Sequence, residues 1–160
     1  MKHLPKHLRP RYRYLWTRIE AWPDAAIDRG AFQRAVWAAA RGLLGDAGSA
    51  AVDPTVSRLA FADGAGTAAV RVRRGEVDRG RAALACIATV GGEPVGIRVR
   101  GTSGTIHAGE ERYMRARPEE ASEKTVAFEN AERAAVVRSD RVDVRTDGAF
   151  AGATDLDLER

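Results

Sequence analysis

VGIRVRGTSGTIHAGEERY, residues 95–113, reads as a strand, a glycine-bearing turn and the opening of a helix. Side chains alternate across a strand, so Val95, Ile97 and Val99 fall on one face and Arg98 and Arg100 on the other. The apolar face needs a core; the arginine face needs an anion or water. Gly101 and Gly104 are expected to turn the chain sharply. A helix beginning near Thr105 then offers unsatisfied N–H groups and its positive dipole end to an anion.

The same pattern recurs upstream. Residues 67–73 alternate Ala68, Val70 and Val72 against Thr67, Ala69, Arg71 and Arg73, and Arg74 carries the charge into the next turn. Residues 56–63 set Leu59 and Phe61 opposite Arg58, and Asp63-Gly64-Ala65-Gly66 joins the two stretches as a hairpin. Residues 11–22 form a further strand, with Tyr12, Tyr14 and Trp16 on one side and Arg13, Leu15, Thr17 and Ile19 on the other. Asp28 is a suitable N-cap for a helix to about Leu44 whose Phe32, Val36, Ala39, Ala40 and Leu43 keep the 3.6-residue period. Gly45 is expected to end it, with a loop over 46–54. A second helix is expected over 77–90, ended by Gly91-Gly92, and a third from Thr105 to about Ala116.

Strand, helix, strand, strand, helix, strand is the order of a split βαβ. The expected class is therefore α+β: a ferredoxin-like (RRM-like) α/β sandwich with a four-stranded antiparallel sheet and helices on one face. Its span is residues 11–117, after a basic arm at 1–10 and before a C-terminal extension at 118–160. In that extension residues 119–133 are read as helical, 136–138 and 142–145 as a hairpin around Ser139-Asp140, and the stretch from Asp155 as an acidic mobile tail. If helices cover one sheet face, Arg58, Arg71, Arg73, Arg98 and Arg100 converge on the other, with few acids on their own strands.

Charge is unevenly distributed along the chain. The net +4 of the 160 residues divides into a start, 1–18, with six basic side chains and no acidic one, and an end, 119–160, with six basic against eleven acidic. The two ends need different surroundings, and a basic arm ahead of a folded domain suits a polyanion, because each neutralised phosphate releases a counterion. Only Lys2, Lys6 and Lys124 are lysines, so the basic set is almost all guanidinium, which binds phosphate in a bidentate way and stacks on bases.

Several chemistries are missing. Cys86 is the sole cysteine, which excludes an intrachain disulfide; its neighbours Leu84, Ala85 and Ile87 place it in the core, and a reducing cytoplasm is the expected compartment. No run approaches the ~20 apolar residues of a membrane span, and Pro5, Arg9 and Pro10 stand where a signal peptide would be apolar. His3 and His7 flank Pro5 without a carboxylate nearby, so no metal site is expected. No serine or cysteine has a histidine and carboxylate arranged around it. No catalytic residue and no cofactor bound by the protein are expected.

RYRYLWTRIE (residues 11–20), GIRVRG (96–101) and SGTIHAGEERYM (103–114) together resemble the family of archaeal ribonuclease P protein component 2, shared with a eukaryotic nuclear counterpart. The resemblance covers about residues 10–117. It implies a ribonucleoprotein subunit in tRNA 5′-leader removal, working beside ribonuclease P RNA, protein component 3 and other archaeal ribonuclease P proteins. Precursor tRNA is the substrate, the RNA is the catalyst and the RNA is expected to need magnesium. Where the family pattern has a basic residue and often a cysteine after Gly-Thr-Ile, this chain has His107 and Gly109.

Under that resemblance the expected RNA contacts are Lys6, Arg9, Arg11, Arg13, Arg71, Arg73, Arg98 and Arg100, with Thr105, His107 and Arg112 at the helix start. Tyr12, Tyr14, Trp16 and Tyr113 are expected at a protein interface. Two other functions fit the residues alone. One is a general ferredoxin-like RNA-binding or ribosome-associated protein; the other is a regulatory domain that holds a small anion at the 101–105 turn.

Overall fold

The structure, a computed structural model, describes residues 3–115, 119, 121–147, 149–154 and 157–158. The order is β1 (Tyr12–Ala21), α1 (Arg29–Val52), β2 (Thr55–Ala62), β3 (Ala65–Arg73), α2 (Val77–Ala85), β4 (Thr89–Val90), β5 (Glu93–Ser103) and α3 (Ile106–Gly109). A wider π-type turn, Glu110–Met114, continues α3. The strands form one antiparallel sheet in the order β2-β3-β1-β5-β4. It is thus a mixed α+β fold, and the main sheet has five strands where four were expected.

The odd positions of β1 make the core. Leu15, Ile19 and Ala21 join Val70 and Val72 of β3 beneath Phe32, Val36 and Val52 of α1 and Leu84 of α2. Each large side chain taken out of water there contributes roughly 1.5–3 kcal/mol.

Glycines account for two departures from the sequence reading. Gly45 does adopt positive φ (70°) and breaks the helical ladder, yet the chain resumes its helix and ends only at Asp53, itself left-handed at φ 49°. The fully buried Val52 draws that last stretch onto the core, so no loop separates Gly45 from β2. Gly91 and Gly92 (φ 58° and 85°) cap no helix. They are the two-residue turn of a hairpin in which Val90 faces Glu93, and α2 stops at Ala85. Cys86 caps α2 and is exposed, so its apolar neighbours misplaced it.

The extension is also different. Residues 121–128 are strand, not helix: β6 (Ala121–Phe128), β7 (Ala131–Arg138), β8 (Arg141–Thr146) and β9 (Ala149–Thr154) form a second antiparallel sheet in sequence order. The expected hairpin at Ser139-Asp140 is present. One face gathers Ala135, Val142, Val144 and Ala153, joined by Val126, Phe128 and Leu158. Hence this small sheet has its own apolar cluster and turns to the main body a mixed face that carries Val136, Arg138, Arg141 and Asp143. The end of the third expected helix at Ala116, the 117/118 boundary and most of the acidic tail lie outside the described residues.

Candidate nucleic-acid interface

Register brings the basic arm and two strand ends together. Tyr12 faces Arg73 across β1 and β3, Tyr14 faces Arg71 on one side and Ser103 on the other, and the Arg74 N–H donates to the Arg11 carbonyl at 2.9 Å. Lys6 lies in a single exposed turn, Lys6–Leu8, and Arg9 donates to the Leu4 carbonyl at 2.9 Å. Arg13, half-buried, points its guanidinium towards Gly104. Of Arg11, Arg13, Arg73 and Arg74, only Arg73 meets a carboxylate among the described residues: Asp53, 3.9 Å away and well exposed. Such a pair is worth about 0–1 kcal/mol and yields readily to phosphate. Arg74 belongs to this rim although it was not among the expected contacts; its adjacency to Arg73 was the available signal.

The open sheet face does not collect its arginines as one patch. β1 stands between β3 and β5, so Arg71 and Arg73 lie two strand spacings, roughly 10 Å, to the side of Arg98 and four to six residues, roughly 13–20 Å, further along the sheet. Some arginines find a carboxylate, on another element or on their own strand. Arg58 pairs with Glu110 of the π turn at 3.1 Å, and Arg18 lies 3.6 Å from Glu20. Arg98 faces Arg18 in register, and Arg100 is the extra residue of a bulge opposite Trp16 and Thr17. Both Arg98 and Arg100 are exposed, with neither a hydrogen bond nor a carboxylate among the described residues. They form a second cationic strip along β5.

The glycine turn has another role than the one its sequence suggests. Neither Gly101 nor Gly104 has positive φ. A Cβ on Gly101 would run into the Tyr113 phenol, and one on Gly109 would fall inside the Trp16 indole, so these glycines let α3 and the π turn lie against the sheet. Trp16 is fully buried, stacks on Tyr113 (centroids 6.0 Å apart, planes 19°) and donates Nε1–H to Ser103 Oγ at 2.8 Å. Trp16 therefore packs internally and offers no surface to a partner. Tyr12, Tyr14 and Tyr113 are half-buried.

Thr105 Oγ1 already accepts from the Ala108 N–H at 3.3 Å, and α3 is one turn long, which leaves no anion cradle there. His107 is exposed, 3.5 Å from Glu111, and Arg112 lies 5.5 Å from the Tyr113 ring centroid. Among the described residues no cluster of three His, Cys, Asp or Glu side chains is placed to hold a metal ion.

At the other end of β1, the second sheet docks through arginines that the sequence reading passed over. Arg138, 1 % exposed, donates to the carbonyls of Ala21 (2.9 Å) and Gly64 (3.2 Å) and pairs with Asp143. Arg141 forks onto both Glu20 oxygens at 2.9 and 3.0 Å. Trp22 stacks on Phe150, with Arg145 over its ring. Burial opposes ionisation of Glu20, but the Arg141 hydrogen bonds and the charges of Arg141, Arg138 and Arg18 prevail and hold its carboxyl below the ordinary range. Burial pushes Asp143 the other way, against the pull of Arg138. Alternation was the signal here: Arg138 shares a face with Val136, which is fully buried.

Known proteins share this sequence along its length. Residues 13–114 match the model of the Rpp14/Pop5 family. A protein of Natronomonas pharaonis named "Ribonuclease P protein component 2" is 59 % identical over 158 residues, covering 99 % of this chain and 98 % of the relative. One of the same name from Halorubrum lacusprofundi is 55 % identical over 159 residues, with 99 % and 100 % covered. A third, from Methanopyrus kandleri, is 35 % identical over 138 residues, with 81 % and 82 % covered. The matched segment starts at Arg13 in β1 and ends at Met114 in the π turn, and the chain belongs to the Rpp14/Pop5 family.

Proposed function

We infer that this chain is a protein subunit of ribonuclease P, acting in tRNA 5′ maturation. The observation that carries the inference is its end-to-end similarity to relatives bearing the name ribonuclease P protein component 2. Several finer statements follow as part of the same proposal. The catalytic RNA performs the cleavage of precursor tRNA and needs magnesium, while this protein positions and shields RNA segments. Protein component 3 and other archaeal ribonuclease P proteins are its partners, and the cytoplasm is its compartment; no described helix is long and apolar enough to cross a membrane. The strand order β2-β3-β1-β5 supports a ferredoxin-like reading of the main sheet with β4 appended.

Two cationic strips support RNA contact: the rim of Lys6, Arg9, Arg11, Arg13, Arg73 and Arg74, and the exposed pair Arg98 and Arg100. The small-anion regulator loses its site, because Thr105 and Ser103 are already engaged within the turn. Pull-down of the tagged chain from native extract, with sequencing of bound RNA, tests the proposal. One structured RNA with pre-tRNA cleaving activity is the expected recovery. A broad mixture of RNAs would favour a general RNA-binding protein instead.

A further inference from the structure

We propose that Tyr12 and Arg71 form a seat for one unpaired nucleobase, an inference that rests on the basic rim being an RNA surface. Arg71 is diagonal to Tyr12 across the β1–β3 pair, and its guanidinium carbon stands 4.2 Å from the centre of the Tyr12 ring. Three other arginines of this sheet have carboxylates: Arg58 has Glu110, Arg73 has Asp53, and Arg18 has Glu20, while Arg98 and Arg100 stand exposed on β5. Arg71 has none among the described residues and makes no hydrogen bond there; its Nε is enclosed without an acceptor.

The ring, and not an internal acceptor, is thus the partner that holds this cation, while its terminal N–H groups are left for a ligand. A planar cation held over an aromatic ring at the margin of a basic rim matches a nucleobase on three counts. The faces of the ring and of the guanidinium can stack on a base; the terminal N–H edge is left for an acceptor beside the stacked base; and Arg73, opposite Tyr12 in register, and Arg11 reach the flanking phosphates. The base must be unpaired, because in a duplex both faces are already stacked and the A-form major groove is too narrow for side-chain reading.

The test uses the full-length chain and a short single-stranded RNA carrying one 2-aminopurine, with a duplex of the same sequence for comparison. Wild-type protein is expected to quench the fluorophore and to prefer the single strand. Tyr12→Leu is expected to abolish the quenching and weaken single-strand binding about 5- to 150-fold, the range that one base–aromatic stack carries. The weakening persists at every salt concentration with the salt slope unchanged, since no charge is removed. Tyr12→Phe retains binding, and Arg71→Lys, which keeps the charge and the strand, loses the quenching even if Tyr12→Leu proves too unstable to assay. Intact quenching and affinity in Tyr12→Leu and Arg71→Lys overturn the seat. If Arg11→Ala with Arg73→Ala still flattens the salt slope, the RNA surface survives that failure. An unchanged slope in that double variant removes the RNA surface, and the seat with it.

Discussion

Gly109→Ala separates the two meanings of the Gly-Thr-Ile-His-Ala-Gly turn. Gly109 has ordinary helical angles (φ −75°, ψ −37°), so alanine there would by intrinsic propensity gain about 0.5–1 kcal/mol. Sterics oppose it: the new methyl coincides with the Trp16 indole, which is fully buried and has nowhere to retreat. Overpacking costs about 1–3 kcal/mol. Displacing the indole also gives up the Ser103 hydrogen bond, worth about 1 kcal/mol, and the Tyr113 stack, worth about 0.5–1.5 kcal/mol. The net expectation is destabilisation by about 2–4 kcal/mol, a fall in Tm on the order of 5–15 °C for a chain of this size. Thermal unfolding followed by circular dichroism reads it, with Trp fluorescence reporting the displaced indole. An anion-cradling turn predicts the opposite: an unchanged or raised Tm with weakened RNA binding. That result would refute the packing account of α3.

Other perturbations test the two ends of β1. Replacing Arg98 and Arg100 together with alanine should lower RNA affinity and reduce the slope of log K against log salt by about 0.7–0.9 for each phosphate no longer neutralised; an unaltered slope takes β5 out of the RNA surface. Glu20 has a depressed carboxyl, so it stabilises the fold above its unfolded-state pKa and ceases to do so as pH falls through its lower folded value. Glu20→Gln should cost about 1.5–3 kcal/mol near neutrality and flatten the acid limb of a stability–pH curve; a parallel limb would show that other carboxylates set it. Arg138→Leu strands two buried carbonyls and Asp143, and should cost about 3–5 kcal/mol. Hydrogen exchange is expected to speed up across β6 to β9 more than in α1, and uniform protection would argue against Arg138 as the attachment point.

The main sheet was legible because its strands alternate cleanly: Leu15, Ile19, Val70 and Val72 could face only a core, and Tyr12 and Arg71 only the other side. Strand order was not, since it depends on crossover connections that no local pattern encodes, and with it went the idea of a single arginine patch. Gly91-Gly92 looked like a helix stop because both helix ends and tight hairpins need positive φ; the two uses differ only in what pairs across them. Residues 121–133 misled for a different reason. Their alanines and glutamates favour helix weakly, and pairing with Val136, Val137 and the strands beyond overrides that preference. At the candidate interface the cationic residues were legible by type, but their partners were not. Asp53 and Glu110 sit far from Arg73 and Arg58 in sequence.

β1 runs ten residues from the rim near Tyr12 to the second-sheet seam at Ala21, roughly 30 Å. That is several times the ~8 Å over which charge is felt at physiological ionic strength. The basic rim is consequently electrically independent of the second sheet, although residues 119–160 carry eleven acidic side chains against six basic. A polyanion drawn to the rim would experience little repulsion from the acids beyond the seam, so it would be met arm-first before any contact forms.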